Sequence, residues 1–536
     1  MAIFFPILSY SWLSIEDTTY YSTNPLFGSA SLLDRLRASW TIAPESNYMP
    51  LTWSFTILLS EVSNHSAKVF HLASLLLHLL NSGLAFLLLR RLKLTPILAG
   101  LIVLLFAIHP LRVESVAWAS SLKGLLAAFF TLLTLLTLTD NSSKVSKFKE
   151  PLVILFFLLS LLCKQTLFLL PATIFLLTLI KPELRLKVRI YIILSILTGL
   201  AALTASLVNA DNPMLAVHQL NEGKIAPLKA LAAMGHYLQQ HLLPQGLMPE
   251  YPTTKSITLI ALGVIGLSPL TLWIRYLKKS NISSPEPLIY YTCFIALLLP
   301  VLGFITTPLE FAADRLTYIP SLFFWAACVL SLQNLFQSQR AKNISLTACL
   351  PLVIFYTFLS IKQTKLWRND QTLTHHILKH SPNHFLANLQ IANDLAINGK
   401  LNTALTHAEL LIHSHPHLYA GWQTFTRIHI SMGSAEIAFK KLDNILKKET
   451  PISTGLTFLQ IEALRSLKRY PEALTVAKLA LNKGADPATI HYHNALTYLQ
   501  SGDPQNAQSQ IQLALELNPN SPVILSLKQE IETNTK

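Results

Sequence analysis

The chain has 536 residues, of which 51% are hydrophobic and 13% are charged, and its formal net charge is +14. Soluble globular domains carry about 25% charged residues, so this composition excludes an ordinary soluble protein over most of the chain. Because the apolar residues are concentrated before residue 362, we expect a membrane-embedded body with a soluble tail. The four cysteines show neither metal-ligand spacing nor paired spacing, so neither a zinc site nor a disulfide framework is predicted.

A helix that spans a bilayer needs roughly 20 apolar residues. Residues 1–13 are apolar but too short to span, and they lack the features of a signal peptide, so we expect the remaining half of a truncated first helix. The stretch 151–180 is interrupted at Lys164 and predicts a pair of short crossings. The other predicted spans bring the total to about eleven helices in an all-α membrane domain, residues 1–362: 69–89, 95–108, 113–138, 188–208, 255–275, 288–305, 313–335 and 344–362.

Short clusters of lysine and arginine set the predicted orientation. All five clusters fall on one side of the membrane if the predicted helices alternate, and the positive-inside rule makes that side cytoplasmic. This distribution explains the net charge without nucleic-acid binding. The soluble tail is then expected outside. The clusters are Arg90-Arg91-Leu92-Lys93, Lys144 to Lys149, Lys181 to Arg189, Arg275 to Lys279, and Arg340 with Lys342.

The same alternation places a second set of charged residues on the outer side. Glu16 and Asp17 are adjacent carboxylates, which in isolation read as a solvated loop pair. Lys164 lies between two apolar runs, where a cation is costly unless it faces water or a partner. Asp314 and Arg315 form either an interfacial ion pair or a phosphate site, because a guanidinium matches phosphate oxygens. A turn with charged ends, His109 to Glu114, lies on the same side.

A carboxylate beside cationic side chains at an outer membrane surface suits one class of reaction. When a sugar is carried on a polyprenyl phosphate, the leaving phosphate has a low pKa and needs no general acid. One carboxylate base then suffices to take the proton from an acceptor hydroxyl, and cations stabilise the departing phosphate. Glycoside hydrolysis, in contrast, requires two carboxyl groups.

The tail carries an internal repeat. Ala404, Ala438, Ala473 and Ala507 are separated by 34, 35 and 34 residues, the period of tetratricopeptide (TPR) helical hairpins. Glycines before these alanines predict tight turns between helices, and prolines near the repeat ends predict helix stops. We expect a linker helix at 363–384, a four-repeat α-solenoid at 385–521 and a polar capping helix at 522–536. Trp422, Tyr498 and the histidines of this region are interpreted as packing or solvated residues.

Six motifs in chain order resemble those of the GT-C fold glycosyltransferases, specifically the TMTC-type O-mannosyltransferases with C-terminal TPR repeats and their bacterial counterparts. The motifs are Ile15-Glu16-Asp17-Thr18-Thr19-Tyr20 with Asn24-Pro25; Ser46-Asn47-Tyr48-Met49-Pro50-Leu51-Thr52; His109-Pro110-Leu111-Arg112-Val113-Glu114-Ser115-Val116-Ala117-Trp118; Pro244 with Leu247 and Tyr251-Pro252; Ala313-Asp314-Arg315-Leu316-Thr317-Tyr318-Ile319-Pro320-Ser321; and Trp367-Arg368-Asn369-Asp370.

The resemblance implies a multi-pass protein of the bacterial inner membrane with its repeats on the periplasmic side. It implies an inverting hexosyltransferase that takes sugar from a polyprenyl-phosphate donor and passes it to a protein or glycan hydroxyl held by the repeat groove. Three departures from the family pattern are Glu16 in place of Asp, Arg112 in place of a second His, and a charged run represented by Lys123 alone. The implied catalytic base is Asp17, or else Glu16. The implied donor phosphate ligands are Arg315 and Lys164, and the supporting residues are His109, Glu114, Asp314 and Tyr318.

Two other functions are compatible with the same sequence. One is a non-catalytic membrane scaffold whose repeats recruit envelope proteins, which the reduced charge around Lys123 favours. The other is a transporter, but the inverted repeat of broken helices typical of that class is not recognisable in the sequence. The identity of the sugar, the acceptor and any divalent-metal requirement stay open at this point.

Overall fold

The structure is a computed structural model that describes residues 2–22, 24–44, 48–139, 148–210, 226–251, 261, 264, 286–302, 312–336, 338, 347, 349–448, 454–519 and 521–534. Every regular element in these ranges is a helix. The predicted span 255–275 lies almost entirely outside them, as do the basic residues 275–279, 340 and 342. The chain divides into two compact units, Met1–His380 and Ser381–Lys536.

Long apolar helices dominate the first unit. Three helices in the described residues are long and apolar enough to cross a membrane: Ala67–Arg91, Ala119–Thr139 and Val188–Leu207. The α-helices of this unit are α1 Leu32–Ala38, α2 Pro50–Ser63, α3 Ala67–Arg91, α4 Pro96–Ile108, α5 Arg112–Ala117, α6 Leu122–Thr139, α7 Lys149–Cys163, α8 Leu170–Ile180, α9 Val188–Ala210, α10 Ala226–Leu242, α11 Glu286–Leu298, α12 Pro320–Asn334, α13 Leu350–Leu366 and α14 Asp370–His380.

Four predicted segments differ in detail from the structure. The apolar start of the chain forms a short 3-10 helix, Phe5–Ser9, followed by extended backbone rather than the end of an α-helix. The predicted span 113–138 is two helices, because the backbone leaves the helical path at Trp118 (ψ 119°) and the N–H of Ser120 bonds to a side chain elsewhere. The last predicted span continues to Leu366, and the predicted linker contains the separate helix α14.

The break predicted at Lys164 is present. Helix α7 ends at Cys163, Lys164 is extended, and α8 begins at Leu170. Two hydrogen bonds with the segment that opens α2 hold this break. The Thr52 hydroxyl donates to the Cys163 carbonyl at 2.8 Å, and the side-chain amide of Gln165 donates to the Tyr48 carbonyl at 3.4 Å. The described part of the second family-like motif, residues 48–52, therefore lies beside Lys164.

The second unit is a row of helical hairpins. Its four first helices begin at residues 385, 419, 454 and 487, in register with the predicted repeat. The helices are α15 Phe385–Ile397, α16 Leu401–Ser414, α17 Tyr419–Ser431, α18 Ala435–Lys448, α19 Thr454–Ser466, α20 Tyr470–Asn482, α21 Pro487–Gln500, α22 Pro504–Leu517 and α23 Pro522–Asn534.

Small residues make this stack close-packed. The four periodic alanines are all fully buried, and Trp422 lies in the core with its indole N–H on the Pro416 carbonyl. The final helix packs Ile524, Leu527 and Ile531 against the last hairpin. Pro487 does not stop a helix as expected but occupies its first turn, where its missing N–H costs no hydrogen bond.

Candidate functional site

The loop that carries the two adjacent carboxylates is irregular and tightly held. Glu16 has a backbone φ of +67°, a left-handed conformation that costs a non-glycine residue about 1 kcal/mol or more. A single turn of π-helix, Thr18–Ser22, follows it. Neither feature persists without compensating contacts, and both are frequent at functional sites.

Those contacts come from the break between α5 and α6. The N–H and hydroxyl of Ser120 both donate to Oδ1 of Asp17, at 2.9 and 2.5 Å, and the Trp118 indole N–H donates to the Ile15 carbonyl at 3.2 Å. The Tyr21 hydroxyl donates back to the Ala119 carbonyl at 3.2 Å. The two irregular segments therefore supply each other's missing hydrogen-bond partners.

Asp17 and Glu16 face different surroundings. Asp17 is completely buried, and its Oδ2 accepts the Leu13 N–H at 3.0 Å. The Glu16 side chain is 29% exposed, and its Oε2 lies 3.5 Å from Nζ of Lys123. Lys123 is itself buried, donates to the Tyr20 hydroxyl at 2.8 Å and lies over the Tyr20 ring. Of the two carboxylates, Glu16 is the one that an external molecule can reach.

The pKa values of the pair are displaced in opposite directions. Burial raises the pKa of Asp17 to about 7, against the lowering effect of its hydrogen bonds from Ser120 and Leu13. Burial also opposes ionisation of Glu16, but the charges of Lys123, Arg315 and Lys164 together outweigh it, so the pKa of Glu16 is lowered. Cations from three distant segments of the chain thus act on one carboxylate.

Arg315 is paired with Glu114 rather than with its neighbour Asp314. Its Nη1 donates to Glu114 Oε1 at 2.6 Å and to the Pro249 carbonyl at 2.9 Å, and its backbone N–H donates to Glu114 Oε2 at 2.7 Å. The guanidinium lies 5.2 Å from the centre of the Trp118 ring. This places Arg315 against the segment that also holds the acidic loop.

Asp314 and Tyr318 are buried supports at the same end of α12. Both carboxylate oxygens of Asp314 accept from the Tyr251 hydroxyl, at 3.0 and 3.2 Å, so this carboxylate anchors the loop that contains Pro249. The Tyr318 hydroxyl is 2.7 Å from Nδ1 of His78. Neither side chain forms part of the group around Glu16.

His109 also lies apart from that group. His109 is buried, and its Nε2 lies 3.0 Å from the carbonyl oxygen of His241. Its ring centre lies 4.4 Å from that of Tyr356. Arg112 is completely buried and donates to the hydroxyls of Thr317 and Ser321. The turn His109 to Glu114 therefore ties α4 and α5 to α12, and only Glu114 contacts a predicted phosphate ligand.

Two contributors to the site were not identified as site residues from sequence. In the sequence Lys123 is the remnant of a charged run, and a lone lysine in an apolar stretch is the same signal that singles out Lys164. Asp370 begins α14 and accepts both the N–H and the hydroxyl of Ser14, at 2.7 and 2.5 Å. Nearby, Trp367 packs on Trp118 with ring centres 5.6 Å apart. The stretch predicted to lead into the repeats thus supports the acidic loop.

In the described part of the chain, no group of three His, Cys, Asp or Glu side chains is arranged to hold a metal ion.

Comparison with known proteins finds no matching family model and no matching curated protein. Among solved structures, the chain is similar to TTC0263, a thermophilic TPR protein of Thermus thermophilus, with 20% identity, a TM-score of 0.26, and coverage of 35% of this chain and 95% of that chain. It is also similar to the APC/C hetero-tetramer Cut9-Hcn1, with 13% identity, a TM-score of 0.24, and coverage of 93% and 92%.

Scores this low carry no argument about function. The hairpins, buried alanines and 34-residue period of the second unit place the chain among all-helical proteins with a TPR-type helical repeat. The first unit adds three helices of membrane-spanning length within the described residues.

Proposed function

We propose that this protein is a membrane glycosyltransferase that moves a sugar from a polyprenyl-phosphate donor to a hydroxyl of a protein or glycan. The observation that carries the proposal is the partly exposed carboxylate of Glu16, which lies 3.5 Å from the Lys123 ammonium and whose pKa is lowered further by the charges of Arg315 and Lys164. Cationic side chains beside an accessible carboxylate supply the positive charge that stabilises a departing phosphate.

The charge balance gives Glu16 its proposed role as base. Before a donor binds, three cations hold Glu16 ionised and weaken it as a base. A phosphate that joins these cations adds negative charge beside Glu16 and raises its proton affinity at the moment when the acceptor hydroxyl must lose its proton. Asp17, enclosed by its hydrogen bonds, is proposed to hold the loop in the conformation that presents Glu16.

The reaction as proposed is a direct displacement. The acceptor oxygen attacks the anomeric carbon, its proton passes to Glu16, and the bond from that carbon to the phosphate oxygen breaks. The leaving polyprenyl phosphate takes the electron pair and is stabilised by the cationic side chains. One displacement inverts the anomeric configuration.

A membrane location in the bacterial envelope is part of the proposal. On α9, the apolar side chains of Ile196, Leu200 and Leu203 are 53–55% exposed, an arrangement that suits contact with lipid. A polyprenyl donor resides in such a membrane. The repeat unit is proposed to hold the acceptor, because solenoids of this kind present an extended concave surface.

The test uses the full-length protein in detergent with a panel of radiolabelled polyprenyl-phosphate sugars and envelope proteins as acceptors. Glu16→Gln should lower sugar transfer by about 100-fold or more, the range for loss of a general base. Glu61→Gln is the matched control, since Glu61 is also ion-paired, with Arg35, but outside the cationic group. It should transfer sugar at the wild-type rate.

The outcome also separates this enzyme from the scaffold function. If no donor in the panel supports transfer by the wild-type protein, the catalytic proposal fails and a non-catalytic role for the repeats takes its place. If Glu16→Gln and Glu61→Gln transfer equally well, Glu16 is not the base.

A further inference from the structure

A second cationic site lies in the first unit and shares no lining residue with the group around Glu16. It is a cavity of about 760 Å³ between α13, α14 and the loop that follows α10. This volume is within the range of pockets that hold small molecules. Five basic side chains line it: Lys362, His375, His376, Lys379 and His380.

The walls of this cavity are held in place by specific contacts. The Gln363 amide and the His376 ring each lie 3.0 Å from the Leu247 carbonyl, so α13 and α14 hold the same loop. Gly246, at φ +60°, brings that loop so close to the ring of His380 that an added Cβ would lie 3.3 Å from its Nδ1. The rings of His376 and His380 are 4.7 Å apart.

The charge of the cavity is of one sign. No carboxylate belongs to its described lining, in contrast to the first site, where Glu16 and Glu114 pair with Lys123 and Arg315. Burial lowers the pKa of His376, and the charges of His380, Lys379 and Lys362 lower it further, against the raising effect of the Leu247 carbonyl. These side chains therefore repel one another's charge, and an anion among them would relieve that repulsion.

We propose that this cavity binds a phosphate-bearing anion, either a soluble diphosphate or the headgroup of an anionic lipid. Two lysine ammonium groups and the imidazoles of His375 and His380 provide hydrogen-bond donors that suit phosphate oxygens, whereas the His376 N–H is used by the Leu247 carbonyl. The proposal does not depend on the transferase function, because it rests on a different set of residues.

The test measures binding by the full-length protein in detergent. Inorganic pyrophosphate is titrated in by calorimetry, and retention of phosphatidylglycerol is compared with that of phosphatidylcholine by native mass spectrometry. Lys362→Gln and Lys379→Gln should each weaken the bound species about tenfold, as expected for loss of one charge-assisted hydrogen bond. Both positions are exposed, so the substitutions leave the packing intact.

Lys365→Gln is the matched control. Lys365 is exposed on α13, the helix that carries Lys362, but it does not line the cavity. It should change the affinity by less than about twofold, because it removes no hydrogen bond to the anion. Saturable pyrophosphate binding without lipid selectivity identifies a soluble ligand, and selective retention of phosphatidylglycerol identifies a headgroup. The proposal is overturned if all three substitutions weaken anion binding equally, or if neither pyrophosphate nor phosphatidylglycerol binds saturably.

Discussion

Asp17 and Glu16 show how two neighbouring carboxylates acquire different chemistry. Asp17 is buried by the α5–α6 break, and each of its oxygens accepts at least one hydrogen bond. Glu16 is turned the other way by its left-handed backbone and meets Lys123. The two carboxylates therefore differ because their side chains point in different directions from the loop, and not because one is Asp and the other is Glu.

The raised pKa of Asp17 predicts a pH dependence of stability. Its pKa is about 7 in the folded protein, against 3.8 for an unperturbed side chain. The folded state therefore binds more protons than the unfolded state between these values. The stability that Asp17 contributes is fully present below pH 3.8 and is lost as the pH rises through 7, by at most about 1.4 kcal/mol per pH unit.

Asp17→Asn removes this titration and also sets an amide against a backbone N–H. The variant should be less stable than wild type at about pH 5, and the difference in melting temperature in detergent should shrink between about pH 5 and pH 8. Asp34→Asn, on an exposed side chain, serves as the control, since it leaves the hydrogen bonds of Asp17 in place. If the difference in melting temperature between wild type and Asp17→Asn stays constant or widens as the pH rises, the raised pKa of Asp17 is contradicted.

At the scale of the element, the repeat turns show where the backbone adopts the left-handed conformation that favours glycine. Gly399, Gly433 and Gly502 end their first helices with φ between +71° and +81°. The equivalent residue of the third hairpin is Lys468, with φ +59°. A side chain in this conformation is strained by roughly 1 kcal/mol, so the third hairpin carries a strain that the others avoid.

Lys468→Gly should therefore stabilise the repeat unit, residues 381–536, by up to about 1 kcal/mol, less the entropy that glycine adds to the unfolded chain. Gly433→Ala is the reciprocal variant, and no atom lies within 4 Å of its added Cβ. Its expected destabilisation, about 1 kcal/mol, is thus a backbone effect alone. Urea unfolding of both variants measures the two values, and a stabilising Gly433→Ala would contradict this account.

For the whole molecule, the decisive prediction concerns the proposed topology. Single cysteines are introduced into a chain whose four native cysteines are replaced by alanine. Ser22→Cys and Asn402→Cys, both at exposed positions, should react with an impermeant thiol reagent in intact cells with a permeabilised outer envelope. Ser146→Cys, in the basic connection 144–149, should react only after lysis. The reverse labelling pattern would contradict the proposal that the donor site lies on the outer face of the membrane.

The repeat unit was predictable from sequence because a solenoid is built from contacts between neighbouring hairpins. The alanine period predicted the buried helix crossings, and the turn glycines predicted the positive φ values, since both depend on local geometry. Apolar runs likewise indicated the long helices of the first unit. The break at Lys164 was visible for the same reason, because a cation interrupts an apolar run.

The site around Glu16 depends on contacts that no local pattern records. Asp17 meets Ser120 across 103 residues, and Arg315 meets Glu114 across 201. Sequence proximity favoured Asp314 as the partner of Arg315, and the family resemblance favoured Asp17 ahead of Glu16 as the catalytic base. The folded chain assigns different partners, because the burial of each charge and the identity of the opposite charge beside it arise only when distant segments pack together.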